Sequence, residues 1–406
     1  MNIKIYRLDN PIREYAWGSE TFISNLLGIP SPAPAPQAEL WLGSNPQAPS
    51  LVREGKRVIS LRELILEDPV EMLGEQAAER FSDTLPFLLK VLSAARPLSI
   101  QAHPDIEQAR EGFERENAAG IPLDALNRNY KDPNHKPELI CALTPFELMS
   151  GFRDPREIAG LLTYLDLGAA LPGAEILLAD PTDPSLRALF EALLSISGEK
   201  RDRLLAVLLR HVAAAPPRSE KEKRAFSWVD RLSHFYPGDI GILAPILLNT
   251  FRLQPGEALY NRAGVLHAYL EGSGIEIMAN SDNVLRGGLT TKYINPAELL
   301  KILSGLAGPA DIVQAETTDR IEFIYRAPAR EFELSRIRIV SPASFTPGRR
   351  NGPEILLCVE GSTTVIRGNN PDLQLQKGGS IFIPFGVGSY TIRGEGVLYR
   401  AAIPGS

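Results

Sequence analysis

Histidine is scarce in this 406-residue chain, with five in all. Any one that stands beside another ligand-type side chain therefore carries weight as a site residue. Cysteine is scarcer still. Cys141 and Cys358 each lie inside an apolar segment, which reads as buried free thiols in a reducing compartment. Excess positive charge is absent: 43 Lys and Arg stand against 49 Asp and Glu, a net charge of −6. That excludes a broad basic field for nucleic acid or anionic membrane, but leaves room for a local basic pocket. No apolar run reaches the roughly 18 residues of a membrane span. The N-terminal "MNIKIYRLDNPIREYAWGS" alternates like a strand and has no signal-peptide apolar region, so a cytoplasmic protein is expected. What is present is ordinary for a globular protein, 44% hydrophobic and 23% charged. At roughly 150 residues per domain the length suggests two or three domains.

The first 150 or so residues read as strands and turns with some helix. "IKIYRL" alternates, and "IPSPAPAPQ" (Ile29–Gln37) is a Pro/Ala surface loop that samples polyproline II. Ser60–Leu73 opens with a Ser cap and spaces its apolar residues as a helix does. From Asp154 to Asp239 the pattern is helical. "DPREIAGLLTYL" and "DPSLRALFEALLSIS" each begin with Asp-Pro. The second places Leu186, Leu189, Phe190, Leu193 and Leu194 on one face. His211 and His234 lie in this block without a second ligand type at metal spacing, so both read as structural or solvated. Strand signals return after Thr250. Beyond Ile321 they become short runs with turns, "FELSRIRIV", "EILLCVEGSTTVIRG" and "SIFIPFGVGSYTI", as in a sandwich or barrel. The expected domains are 1–153 with 239–310, a helical insert 154–238, and a C-terminal β domain 311–406.

Two stretches resemble each other at an offset of 122 residues: "QPGEALYNRAGVLHAYL" (254–270) and "QKGGSIFIPFGVGSYTI" (376–392). Gly256 aligns with Gly378, Gly264 with Gly386, Leu259 with Ile381 and Leu266 with Gly388. Glycines at both turns permit tight bends between neighbouring strands. The pattern is similar to the second motif of cupins, which are jelly-roll β-barrels. His267 in the first copy faces Ser389 in the second, and residues 311–406 contain no histidine. The expected fold is mainly β with a helical insert (α+β): two cupin-type jelly-roll barrels plus an all-α domain, with metal in the first barrel and none in the second.

Residues i and i+2 of a strand share a face. Gln101 and His103 of "PLSIQAHPD" satisfy that, as do Lys136 and Glu138 of "NHKPELICAL". His135 then points away, a supporting or surface residue, although Pro137 weakens the inference. With His267 these give two imidazoles, a carboxylate and an amide oxygen, a set that suits zinc and also iron or manganese. Gln is an unusual ligand that spacing alone does not select, and unrelated polar residues on separate strands remain the alternative. The segment 267–294 packs Glu276, Asp282, Asn283, Arg286 and Lys292 beside His267. It reads either as a solvated loop with ion pairs or as a site for an anionic substrate.

"YAWGS" (Tyr15–Ser19), "AELWLGSNPQAPS" (Ala38–Ser50), "LPFLLKVL", "PLSIQAHPD", "NHKPELICALTPFELMSGFR", "YPGDIGILAPILLN" and "HAYLEGSGIEIMANSDNVLRGGLTTKYI" resemble, in order, the motifs of the type I phosphomannose isomerases. The resemblance implies one zinc ion on Gln101, His103, Glu138 and His267, and interconversion of mannose 6-phosphate and fructose 6-phosphate through an enediol(ate). It places the family's signature arginine on Arg286. Gly287–Gly288 and Thr290-Thr291-Lys292 depart slightly from the common Ala-Gly and Thr-Pro-Lys without removing a functional group. Lys136, Glu276, Asp282 and Lys90 resemble family pocket positions and are the candidates for the catalytic base. Ser99, Lys292 and Lys90 are the candidates for phosphate, and Trp17 and Trp41 either line the sugar pocket or belong to the core. An iron-dependent cupin oxygenase and a non-catalytic sugar-phosphate-binding double cupin are the other readings. The expected partner is a small sugar phosphate, with no nucleic acid or membrane, and the expected state is a monomer.

Overall fold

The computed structural model describes residues 4–305, 307–308, 310–317, 319–368 and 372–405. Two antiparallel sheets carry the molecule. The first runs from Asp311–Val313 through Ala258–Asn261, Glu138–Ala142, His267–Ala279, Phe87–Ala94 and Glu39–Leu42 to Ile12–Arg13. Its organiser is the 13-residue strand His267–Ala279. From Gly272 onward this strand lies between Phe87–Ala94 and Glu138–Ala142. Before Gly272 it pairs instead with Phe146–Phe152 and, at His267, with Gln101 of Ile100–Ala102. The change of partners requires glycine. Gly272 has φ 126°, and a Cβ there would stand 2.7 Å from the carbonyl oxygen of Pro145. One strand thus sets His267 beside Gln101 and Glu276 beside Lys90.

The second sheet is dominated by the pairing of Glu354–Ile366 with Thr391–Ala402. Tyr6–Asp9 completes it, hydrogen-bonding to Ser380–Ile383 on one side and to Leu51–Glu54 on the other. Two closed barrels are expected from the motif pattern, and neither sheet closes. Their long strands bend and change partners, so the sheets fold over. Among the described residues, however, short strands such as Ile12–Arg13 and Asp311–Val313 end the first sheet and Glu322–Tyr325 and Arg57–Ser60 end the second. The class, antiparallel β with a helical insertion, stands.

Helices Pro155–Tyr164, Ala174–Ala179, Asp183–Ser195, Gly198–Ala214 and Glu220–Phe235 follow one another. Asp154 caps the first by accepting from the Arg156 N–H, with Pro155 in the first turn. Leu186, Leu189, Phe190 and Leu193 are buried in the same core as Ile100, Ala102, Met149, Phe152 and Leu266. The helices therefore back the strands that carry Gln101 and His267, and each fully buried leucine contributes about 2 kcal/mol. His211 and His234 spend Nδ1 on the carbonyls of Leu165 (2.6 Å) and Asp230 (2.8 Å).

The 122-residue offset holds in the strands Ala258–Asn261 and Ser380–Ile383 and in Gly256 (φ 89°) and Gly378 (φ 81°). It fails at the next turn. Gly264 has φ 75°, but Gly386 sits in a short 3-10 turn and the left-handed glycine there is Gly388, beside an exposed Ser389.

Candidate active site

Three side chains from distant parts of the chain converge. His103 Nε2 lies 3.3 Å from Glu138 Oε1, and His267 Nε2 lies 3.2 Å from Glu138 Oε2. The ring centroids are 5.1 Å apart. All three residues are buried. Each ring turns Nδ1 to a backbone carbonyl, His103 to Asn283 O at 2.7 Å and His267 to Val265 O at 3.0 Å. Donation there fixes the tautomer that leaves the Nε2 lone pair facing Glu138.

His103 Nε2, His267 Nε2 and Glu138 Oε2 are buried with no hydrogen-bond partner, a costly arrangement unless another group binds them. Together they are suited to one metal ion. Burial pulls the His103 pKa down to about 4, so its imidazole is neutral. Burial pushes the Glu138 carboxyl up, but Lys136 and the two histidines outweigh it and hold it well below the usual carboxylate range. Neutral imidazoles and an ionised carboxylate are the ligand forms of a zinc-type centre. Gln101 pairs in register with His267 on one side and Arg286 on the other and lines the same cavity as Glu138.

The supporting residues explain how the cluster is held. Lys136 Nζ stands 2.9 Å from Glu138 Oε1. His135 faces away and bonds Glu331 Oε1 at 2.9 Å. Asn283 is the hub. Its carbonyl orients His103, its Oδ1 accepts from the Lys131 N–H at 2.6 Å, and its Nδ2 donates to the carbonyls of Asp132 and Asn134 at 2.7 and 2.9 Å.

The cluster opens on a cavity of about 740 Å³. Trp17, Ser99, Lys90, Glu276, Asp282, Arg286 and Lys292 line it, with Trp41, Tyr236 and Tyr269. Lys90 is buried between Glu39 Oε1 (3.3 Å) and Glu276 Oε2 (3.1 Å), over the Trp41 ring at 5.3 Å. Burial alone would depress its pKa. The carboxylates of Glu39, Glu276 and Glu138 outweigh that and raise it, so Lys90 stays charged. Burial raises the Glu276 carboxyl, and Lys90 only partly offsets it. Asp282 is half-buried and accepts from Gln47 Nε2 at 2.5 Å. The side chains of Arg286 and Lys292 have no ion-pair or hydrogen-bond partner among the described residues. Burial lowers the pKa of both, and Arg286 lowers that of Lys292 further. Trp17 stacks on Tyr15 with centroids 5.6 Å apart, and Trp41 donates to Glu39 Oε2.

Every site residue singled out in the sequence borders this cavity or its buried cluster. Sequence reasoning missed Glu39, the second partner of Lys90, although it shares a strand face with Trp41. It also missed Tyr236, which reaches the cavity from the C-cap of the helix Glu220–Phe235, and Asn283 in its orienting role, although Asn283 stands three residues before Arg286.

Among the described residues no helix is long and apolar enough to cross a membrane. The chain matches the catalytic domain of type I phosphomannose isomerase over residues 5–155, its helical insertion domain over 170–248, and the cupin domain of mannose-6-phosphate isomerase over 325–403. It is 42% identical to the mannose-6-phosphate isomerase of Escherichia coli K12 over 396 residues, covering 97% of this chain and 98% of the relative. It is 31% identical to mannose-6-phosphate isomerase 1 of Arabidopsis thaliana, covering 98% and 94%. A crystal structure described as holo, zinc-bound mannose 6-phosphate isomerase superposes with a TM-score of 0.91 at 39% identity, covering 99% of this chain and 100% of that one. On its sequence, its fold and the order of its domains, the chain belongs to the type I phosphomannose isomerase family.

Proposed function

We propose that this protein interconverts D-mannose 6-phosphate and D-fructose 6-phosphate with one zinc ion held by Gln101, His103, Glu138 and His267. The observation that carries the reading is the trio of unpartnered ligand atoms, His103 Nε2, Glu138 Oε2 and His267 Nε2, beside a cavity with unpaired cations. Zinc in that position polarises the carbonyl and hydroxyl oxygens of the sugar.

The chain supplies the rest. Lys292 and Ser99 receive the phosphate, and Trp17 offers an apolar face to the sugar. Arg286 stabilises negative charge that develops on oxygen. Lys90, the lysine held cationic by two carboxylates, does not take a proton and does not reach out to phosphate. It keeps Glu276 in place. Lys136 is engaged with Glu138, and Asp282 with Gln47. We assign the base to Glu276, whose basicity burial raises. Once the ring is open, its carboxylate takes the proton from C2, leaving an enediolate, and returns it to C1 while a second proton passes from O2 to O1.

A coupled assay from mannose 6-phosphate to fructose 6-phosphate tests the reading. Turnover should disappear on chelation and return with zinc. Binding without turnover, or oxygen uptake with iron, contradicts it. Glu276→Gln should stop exchange of the C2 proton with zinc content unchanged, and undiminished exchange moves the base elsewhere.

A further inference from the structure

Lys131 is the cationic group at the cavity to which the mechanism above gives no task. It lines the cavity with Arg286 and Lys292, and no carboxylate lies within ion-pair distance of its ammonium among the described residues. Nζ donates to the carbonyls of Leu123 (2.7 Å) and Ala125 (3.4 Å). An ammonium carries three N–H donors, so one is left for a ligand. The backbone beneath it is fixed, since the Lys131 N–H is held by Asn283 Oδ1, the residue whose carbonyl orients His103. Burial, Arg128 and Arg286 all lower its pKa against the pull of Glu116 and Asp124. A cation so placed has no ion-pair partner among the described residues.

The segment that Lys131 grips is itself loosely packed. Leu123 lines the cavity while 54% exposed, and Leu126 is 94% exposed. The far end is anchored, because the buried Arg128 guanidinium donates to the carbonyls of Ile121 and Tyr130, each at 2.6 Å. An anion on the free N–H of Lys131 would tie the Leu123–Ala125 turn to itself through one ammonium. A phosphoryl group fits that role: near neutral pH it carries a charge of about −1.5 to −2 with three strong acceptor oxygens, more than one lysine satisfies.

We propose that Lys131 is a further cation for the phosphoryl group of the substrate, and that the bound anion, through Lys131, orders the Leu123–Ala125 turn over the cavity. The proposal rests on the isomerase reading above, and the experiment separates the two. Hydrogen exchange across 121–130 is followed in the zinc-loaded protein with D-mannitol 1-phosphate, which has no carbonyl to isomerise, with inorganic phosphate, and with D-mannitol. Both phosphates should slow exchange in this segment and D-mannitol should not. Lys131→Met should raise KM for mannose 6-phosphate about tenfold with kcat within about twofold, the loss of one charge-assisted hydrogen bond. Ligand-induced protection should vanish with it, and Lys131→Arg should restore most of both. Lys292→Met should raise KM yet keep the protected turn. Equal protection by D-mannitol in the wild-type protein, or an unchanged KM in Lys131→Met while Lys292→Met raises it, overturns the role of Lys131 and leaves the phosphate site standing. If neither variant changes KM, the phosphate reading fails, and the proposal with it.

Discussion

Glu138 and Glu354 open corresponding strands of the two sheets. Glu138 pairs with Asn261 and Glu354 with Ile383, positions separated by the same 122-residue offset that relates the two sequence repeats. Both carboxylates are 1% exposed, and their surroundings differ in kind. Glu138 faces the Lys136 ammonium at 2.9 Å and, beside it, two imidazole nitrogens that offer lone pairs. Glu354 faces Arg400 Nη1 at 2.6 Å, Arg350 Nε at 3.0 Å and the Tyr390 hydroxyl at 2.7 Å, groups that bring protons or charge and no free lone pair. One fold position thus becomes a metal seat where two imidazole acceptors join the neighbouring lysine, and a sealed ion cluster where the partners are donors.

The sharpest way to break the contrast is on the acceptor side. His267→Ala removes one ligand and leaves Glu138 buried beside Lys136. Isomerase turnover should fall on the order of 10³-fold as the metal's several kcal/mol are lost, with the chain still folded by circular dichroism. Next is the donor side. Arg400→Met strips Glu354 of its closest cation, and breaking a buried pair costs about 3–5 kcal/mol. Urea unfolding should show that loss, while turnover per folded molecule in the same preparation stays near wild type. The smallest effect concerns the thiol on the Glu354 strand. Burial pushes Cys358 up to about 11, above an unfolded value of about 8.5. Its contribution is therefore full below about pH 8.5 and declines as pH rises toward 11. The urea midpoint should fall less steeply over that window in Cys358→Ser than in the wild type.

How much of this the sequence discloses depends on the range of the interaction. Alternation puts Gln101 with His103 and Lys136 with Glu138, and the repeat singles out His267, because those signals are local or periodic. Helix caps and apolar spacing likewise disclose the helices that follow Asp154. The Glu39–Lys90–Glu276 arrangement is not legible, since it depends on strands 51 and 186 residues apart lying side by side. Nor is the pairing of Tyr6 with Phe382, which joins the first strand of the chain to the last sheet. The register shift in the second copy, where Gly388 takes the turn expected of Gly386, shows the opposite hazard: an alignment that holds through one strand and slips at the next bend. Two partners of Glu354 escape for the same reason, because Tyr390 and Arg400 become its neighbours only once the chain folds back along Thr391–Ala402, whereas Arg350 stands four residues away in sequence.

Zinc content per chain, measured by elemental analysis on wild type, His267→Ala and Glu354→Gln after dialysis, tests the contrast most directly. The account predicts about one, about none and about one, the count that the His103–Glu138–His267 cluster accommodates. Two zinc ions in the wild type, or one retained in His267→Ala and lost in Glu354→Gln, contradicts it.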